Sequence, residues 1–174
     1  MISEGKAVKL TAKGQQVEKE ELFELQSDQE ETDTRVVLYA KYAAKMGYDN
    51  VRVRSPDSDL FFILLHHAQQ IDANILFDTG TGNLKRLLNM TEIARDLGQK
   101  HSTALLGLHA LTGCDTTSSF KGIGKKKPIK ILQKMQNFTQ VLCVLGDSWD
   151  PKERTWQSLN TFCVVFMGSQ ESRT

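Results

Sequence analysis

Two periodicities share this chain. Residues 6–11 (KAVKLT) predict a short strand, ending at Lys13-Gly14. Ser27-Asp28-Gln29-Glu30 has the S-x-x-E form in which hydroxyl and carboxylate each satisfy a free backbone donor, so a helix opens there. Val36, Val37, Ala40, Ala43 and Ala44 give that helix an apolar stripe as far as Met46, and Gly47 ends it. A strand at 50–54 follows, closed by Ser55-Pro56. Next come a Leu- and Phe-rich helix at 58–69, a strand at 73–77 and a turn at Thr79-Gly80-Thr81-Gly82. Helices are predicted at 91–98, capped by Thr91, and at 102–112. From Ser118 to about Met167 the pattern is helical with short breaks, and GSQESRT reads as a frayed tail.

Helix and strand in alternation predict an α/β layered fold with a parallel sheet. In such sheets sites form beyond the carboxyl ends of strands, which points to Asp57 and Asp59. The composition, 40% hydrophobic and 25% charged over 174 residues, is that of a soluble domain able to bury a core. No apolar run reaches the ~18 residues of a membrane helix, and the first ten residues lack a signal-peptide core. No membrane partner is expected, and the expected home is nuclear or cytoplasmic. Cys114, Cys143 and Cys163 make no C-x-x-C and are expected to be reduced and buried.

Charge is segregated. Residues 17–33 hold eight acids and one lysine, whereas residues 121–134 hold six lysines and no acid. Such blocks are ordinarily solvated faces; they also suit a protein that gathers cations at one place and phosphates at another. The acids fall at Glu31-Thr32-Asp33, Asp57-Ser58-Asp59 and Gly113-Cys114-Asp115. Hard divalent ions take carboxylate oxygens and water, and phosphodiester hydrolysis uses two such ions to activate water and stabilise the leaving oxygen. Alternate residues of an extended chain point to one side, so Asp57 and Asp59 converge if the strand persists past Pro56. Asp57 also has a plain alternative as a helix N-cap, and Asp33 as a first-turn acid favoured by the helix dipole.

Phe120-Lys121-Gly122-Ile123-Gly124-Lys125-Lys126-Lys127 lies between helical stretches. Gly122 and Gly124 permit positive φ. The helix that follows presents free N–H groups to an anion, and lysines add phosphate affinity without reading bases. A lysine-rich surface turn is the plainer alternative.

In order and spacing, Glu31-x-Asp33, Asp57-x-Asp59, Gly113-Cys114-Asp115 and Phe120–Lys125 resemble the flap-endonuclease family of PIN-like nucleases over residues 28 to 135. That family has E-A-E, then D-x-D at a strand end, then G-S-D, then I-x-G-I-G-P-K opening a helix. The chain also resembles the nuclease-like open reading frames of animal transposable elements. The resemblance implies a PIN-like three-layer fold with a mostly parallel sheet, followed by a helix–two-turn–helix. It divides the chain into a partial core (1–117), a helix–two-turn–helix and C-terminal helical region (118–168) and a tail (169–174). It implies two Mg²⁺ or Mn²⁺ ions on Glu31, Asp33, Asp57, Asp59 and Asp115, with Asp57, Asp59 and Asp115 catalytic. It further implies DNA-phosphate contacts from Gly122, Ile123, Gly124 and Lys125, and a K⁺ ion at that motif. Lys126, Lys127 and Lys130 extend the basic surface. The implied partner is flap, nicked or branched DNA. The family's proline falls at Lys125 or is displaced to Pro128, Asp33 stands for a glutamate and Cys114 for a serine. Nothing before residue 28 resembles the family's first strand and helical arch, so the chain is expected to be the later part of such a domain, to fold marginally alone and to be without detectable nuclease activity by itself.

Two other classes compete. A domain of this kind can bind DNA without turnover. Ile75-Leu76-Phe77-Asp78-Thr79-Gly80 carries the D-T-G of aspartic proteases, which need a second aspartate to share a proton. His66, His67, His101 and His109 have no base partner visible in the sequence and are expected to be structural or surface residues.

Overall fold

Strand β1 (Val8–Lys13) turns back into β2 (Gln16–Glu21), antiparallel, with Val8 opposite Glu21 and Lys13 opposite Gln16. The loop is Gly14-Gln15, and Gly14 at φ 62° supplies the left-handed first position of a type II′ turn. This is a computed structural model, and it describes residues 7–26, 32–148 and 152–168. The strand expected at 6–11 is thus one arm of a hairpin. Its second arm lies in the acidic stretch, where every residue of β2 is exposed and no apolar alternation marks it. The expected capping box at 27–30, Glu31 and the tail at 169–174 lie outside the described residues.

Helix α1 (Thr32–Lys45) buries Val37 and Ala40 and ends before Gly47, at φ 87°. Then come β3 (Asn50–Arg54), α2 (Ser58–His67), β4 (Asn74–Thr79), β5 (Arg86–Asn89), α3 (Met90–Leu97) and α4 (Gln99–Thr112). The remainder is α5 (Lys126–Lys134), the short α6 (Thr139–Cys143) and α7 (Glu153–Gly168). The class is α/β. The sheet, however, is not mostly parallel. Of order β3-β4-β5, it pairs β3 with β4 parallel and β4 with β5 antiparallel. The turn after Thr79 sends the chain straight back, and a parallel neighbour would have needed a crossover.

Strand alternation puts Val51, Val53, Ile75, Phe77 and Leu88 on the face that meets α1, α2 and α3 in a first core with Leu60, Leu64, Leu65, Met90 and Ala94. Arg52, Arg54, Asp78 and Leu87 take the other face. A second core gathers Ala104, Leu108, Leu132, Phe138, Leu142, Phe162 and Phe166 from α4 to α7. Leu105 of α4 packs against both cores.

Two local expectations change. Thr91 does not cap α3; Asn89 does, its Oδ1 accepting from Glu92 N at 3.2 Å. Thr91 Oγ1 instead accepts from Ile75 N at 3.0 Å and donates to Ala73 O at 3.3 Å, tying α3 to the start of β4. The helical stretch expected from Ser118 begins only at Lys126, because the turn around Gly122 holds positive φ.

Candidate functional site

The site grows from the end of β3. Ser55 N donates to Asp78 O at 3.1 Å, the last rung of the parallel pairing. Beyond it the Ser55 hydroxyl accepts from Asp57 N at 3.0 Å, and Asp57 Oδ1 accepts from Asp59 N at 2.9 Å. Asp57 is therefore the extended N-cap of α2, and Asp59 stands in the first helical turn. The two are not alternate residues of one continuing strand, as their spacing suggests, because Asp57 satisfies a free helix donor and starts the helix at once.

Asp59 faces the end of α4. Its Oδ1 accepts from His109 Nε2 at 2.8 Å and its Oδ2 from Asp115 N at 3.2 Å. Asp115 reaches this place through a tight turn. Gly113 takes φ 107°, and a Cβ there would stand 2.6 Å from Ser119 Cβ. Thr117 Oγ1 donates to Ala110 O at 2.7 Å and accepts from Cys114 N at 3.1 Å. The Asp115 side chain is exposed. Lys125 closes the arrangement from the other side: its ammonium donates to Gly113 O, to His109 O at 3.4 Å and to Thr112 Oγ1 at 3.5 Å. It thus satisfies carbonyls that the end of α4 leaves free.

His109 is 4% exposed, its ring stacked on Phe62 with centroids 4.4 Å apart, and its Nδ1 has no hydrogen-bond partner. Burial holds its pKa below the ordinary histidine value; the Asp59 bond opposes this and the Lys125 charge adds to it. For Asp59, burial works upward, but the Asp115 amide, His109 and the Lys125 charge outweigh it and hold the carboxyl below its usual range. Burial also lowers Lys125, against the pull of Asp59 and Cys114. At Cys114 burial acts upward, yet hydrogen bonds from Thr116 and Thr117 prevail and the thiol lies below its ordinary value.

The structure thus brings Asp57, Asp59 and Asp115 to one junction and adds His109, which the sequence reading leaves as structural. Asp33 sits in the first turn of α1, where a helix dipole favours an acid. The donors at the junction are carboxylate oxygens, the chemistry that Mg²⁺ and Mn²⁺ accept. Among the described residues, no three His, Cys, Asp or Glu side chains stand close enough to enclose an ion. Among the described residues the junction therefore offers oxygen donors but no enclosed ion site.

Of the lysine-flanked motif, Gly122 takes φ 73° while Gly124 does not have positive φ. Ile123 packs against the second core. Lys121, Lys126 and Lys130 are exposed and Lys127 is half-buried, whereas Lys125 turns inward. Asp78 of the D-T-G tripeptide lies on the outer sheet face. Its Oδ2 is held by Arg52 Nη2 at 2.7 Å and Nε at 3.2 Å, with Arg54 Nη1 at 3.8 Å. Its partners are two arginines rather than a second aspartate. Gly80 takes φ 80°, and a Cβ there would stand 2.2 Å from Leu84 O, so the glycine serves the β4–β5 connection. Among the described residues no helix is long and apolar enough to cross a membrane.

No protein-family model, curated protein or solved structure matches the chain.

Proposed function

We propose that this chain carries a divalent-metal-dependent nuclease site of the flap-endonuclease-like, PIN-like type, acting on DNA phosphodiester bonds. The observation that carries the reading is Asp59. It is hydrogen-bonded to the backbone of Asp115, 56 residues away, and its own amide is bonded to Asp57, just beyond a strand end. In this reading Asp57, Asp59 and Asp115 hold a Mg²⁺ or Mn²⁺ ion, and Glu31 and Asp33 supply the remaining carboxylates. The metal, when bound, supplies an activated water and neutralises charge on the phosphate. The turn at Gly122 and the lysines at 121, 126, 127 and 130 form the helix–two-turn–helix surface for DNA phosphates, with the motif's K⁺ ion. Lys125 joins that surface to the carboxylates through the end of α4.

Made in a full-length context, Asp57→Asn and Asp59→Asn are expected to abolish Mg²⁺-dependent cleavage of a labelled flap or nicked duplex while leaving DNA binding by fluorescence anisotropy largely intact. Undiminished cleavage by either variant removes that residue from the site. A second reading, DNA binding without turnover, draws on the exposed lysines of α5, which need no metal. Tight, salt-sensitive binding by a wild-type chain that never cleaves would select it.

A further inference from the structure

We infer that His109 is a positioning residue for the carboxylate of Asp59, an inference that rests on the nuclease reading. A carboxylate has no proton to give, so Nε2 must carry the hydrogen of the 2.8 Å contact. With Nε2–H on Oδ1 and the Asp115 amide on Oδ2, both oxygens are fixed and the carboxylate plane is set. The ring cannot easily turn away. It is buried, it stacks on Phe62 of α2, and α2 is the helix whose first turn carries Asp59. Helices α2 and α4 are therefore registered by an aromatic stack and a polar contact on the same histidine. Carboxylates that bind metals are oriented by such outer partners, and loss of one typically weakens the metal about 10–100-fold. The Nδ1 atom bears on the same point: it is buried without a partner. A purely structural ring at this place would be served better by an apolar one, since an unpaired buried polar atom costs stability. The imidazole is accounted for by what Nε2 does.

The test is Mn²⁺ affinity, by isothermal titration calorimetry and by the electron paramagnetic resonance of free Mn²⁺, with a thermal melt for each protein. H109F keeps a ring against Phe62 and removes the donor. H109Q can still donate an N–H towards Asp59. H109L, smaller and also without a donor, replaces H109F should the larger ring not fit. Positioning predicts that H109F or H109L weakens Mn²⁺ about 10–100-fold, while H109Q stays within about threefold of wild type even if it melts lower. A structural role alone predicts the reverse order, with the apolar variants at least equal to H109Q. Donor-free variants that bind Mn²⁺ like wild type, alongside a weakened D59N, overturn the positioning role and leave the metal site standing. Equal binding by wild type and D59N overturns the metal site and the positioning role together.

Discussion

Gly122 and Gly124 stand two residues apart in one motif but ask different things of the backbone. Gly122 holds φ 73°, whereas Gly124 does not have positive φ, and nothing lies within 4 Å of where its Cβ would be. Gly122→Ala is expected to cost about 1–2 kcal/mol, the penalty of a left-handed L-residue. Gly124→Ala should be neutral or stabilise by about 0.4–1 kcal/mol by restricting the unfolded chain. Urea midpoints compare them, and equal losses at both positions would contradict the geometry. Lys125 differs from its neighbours in a similar way. Its ammonium is spent on the α4 carbonyls, so Lys125→Met should lower stability and leave the salt slope of DNA binding nearly unchanged. Lys126→Ala should keep stability and flatten that slope by about one unit. A Lys125→Met variant that flattened the slope and melted like wild type would return Lys125 to the phosphates. These distinctions were not legible in the sequence. The strand-end rule pointed to Asp57 and Asp59, and the structure sets the Asp115 backbone against Asp59. A histidine on an apolar helix looks ordinary until the fold sets Asp59 opposite it, across 50 residues of chain. Likewise one lysine among six shows no sign of which will turn inward.

At the scale of elements, those with one buried face were legible. The strand predicted at 50–54 coincides with β3, and the helices predicted at 58–69, 91–98 and 102–112 match α2 with its 3-10 extension, α3 and α4 within a few residues. Strands β2 and β5 escaped for different reasons. β2 is exposed throughout and β5 has only four residues, so neither carries a period strong enough to read. The β1–β2 hairpin has a consequence that can be measured. Ion pairs Lys9–Glu20 at 3.6 Å and Lys13–Glu18 at 2.9 Å cross it, but both are exposed, and such pairs add at most about 1 kcal/mol. A lone two-stranded hairpin is marginal in water. Amide exchange in 8–21 should therefore be fast at neutral pH, while β3 and β4 stay protected to the global limit. Protection of β2 amides equal to that of β4 would mean that the hairpin is covered in solution. The caps offer a second measure at this scale. Asn89→Ala should cost about 1 kcal/mol, and Thr91→Val should cost more than a surface change, because it removes the link to Ile75 N and Ala73 O.

For the whole molecule, acid and packing act on the same joint. His66, His67 and His109 all have folded pKa values held down, each first by burial. The unfolded chain, with histidine near about 6.5, binds more protons in that window. Stability is therefore full above it and falls as pH drops from about 6.5 through the lowered folded values. The depressed pKa of Asp59 acts lower, with stability present above about 3.9 and lost as pH falls through its folded value. Urea unfolding at pH 7.5 and 5.5 should show the first loss, and a flat profile would count against a neutral His109 and neutral half-buried His66 and His67. The joint itself is α4, which carries His109 and Leu105 and lies against α6 so closely that a Cβ on Gly107 would stand 2.2 Å from Leu142 O. The contact is with backbone, which has no rotamer by which to retreat. Gly107→Ala should therefore force α4 and α6 apart and cost on the order of 1–3 kcal/mol, the usual range for overpacking. Because α4 belongs to both cores, the loss should move the first core with the second. With Trp149 replaced by Phe in both proteins, far-ultraviolet circular dichroism and the fluorescence of Trp156 in α7 should trace one urea transition in the otherwise wild-type chain. In Gly107→Ala both probes should shift together to lower urea. If the fluorescence moved alone, the two cores would be separate folding units, and the end of α4 could not transmit the position of Lys125 to Asp59.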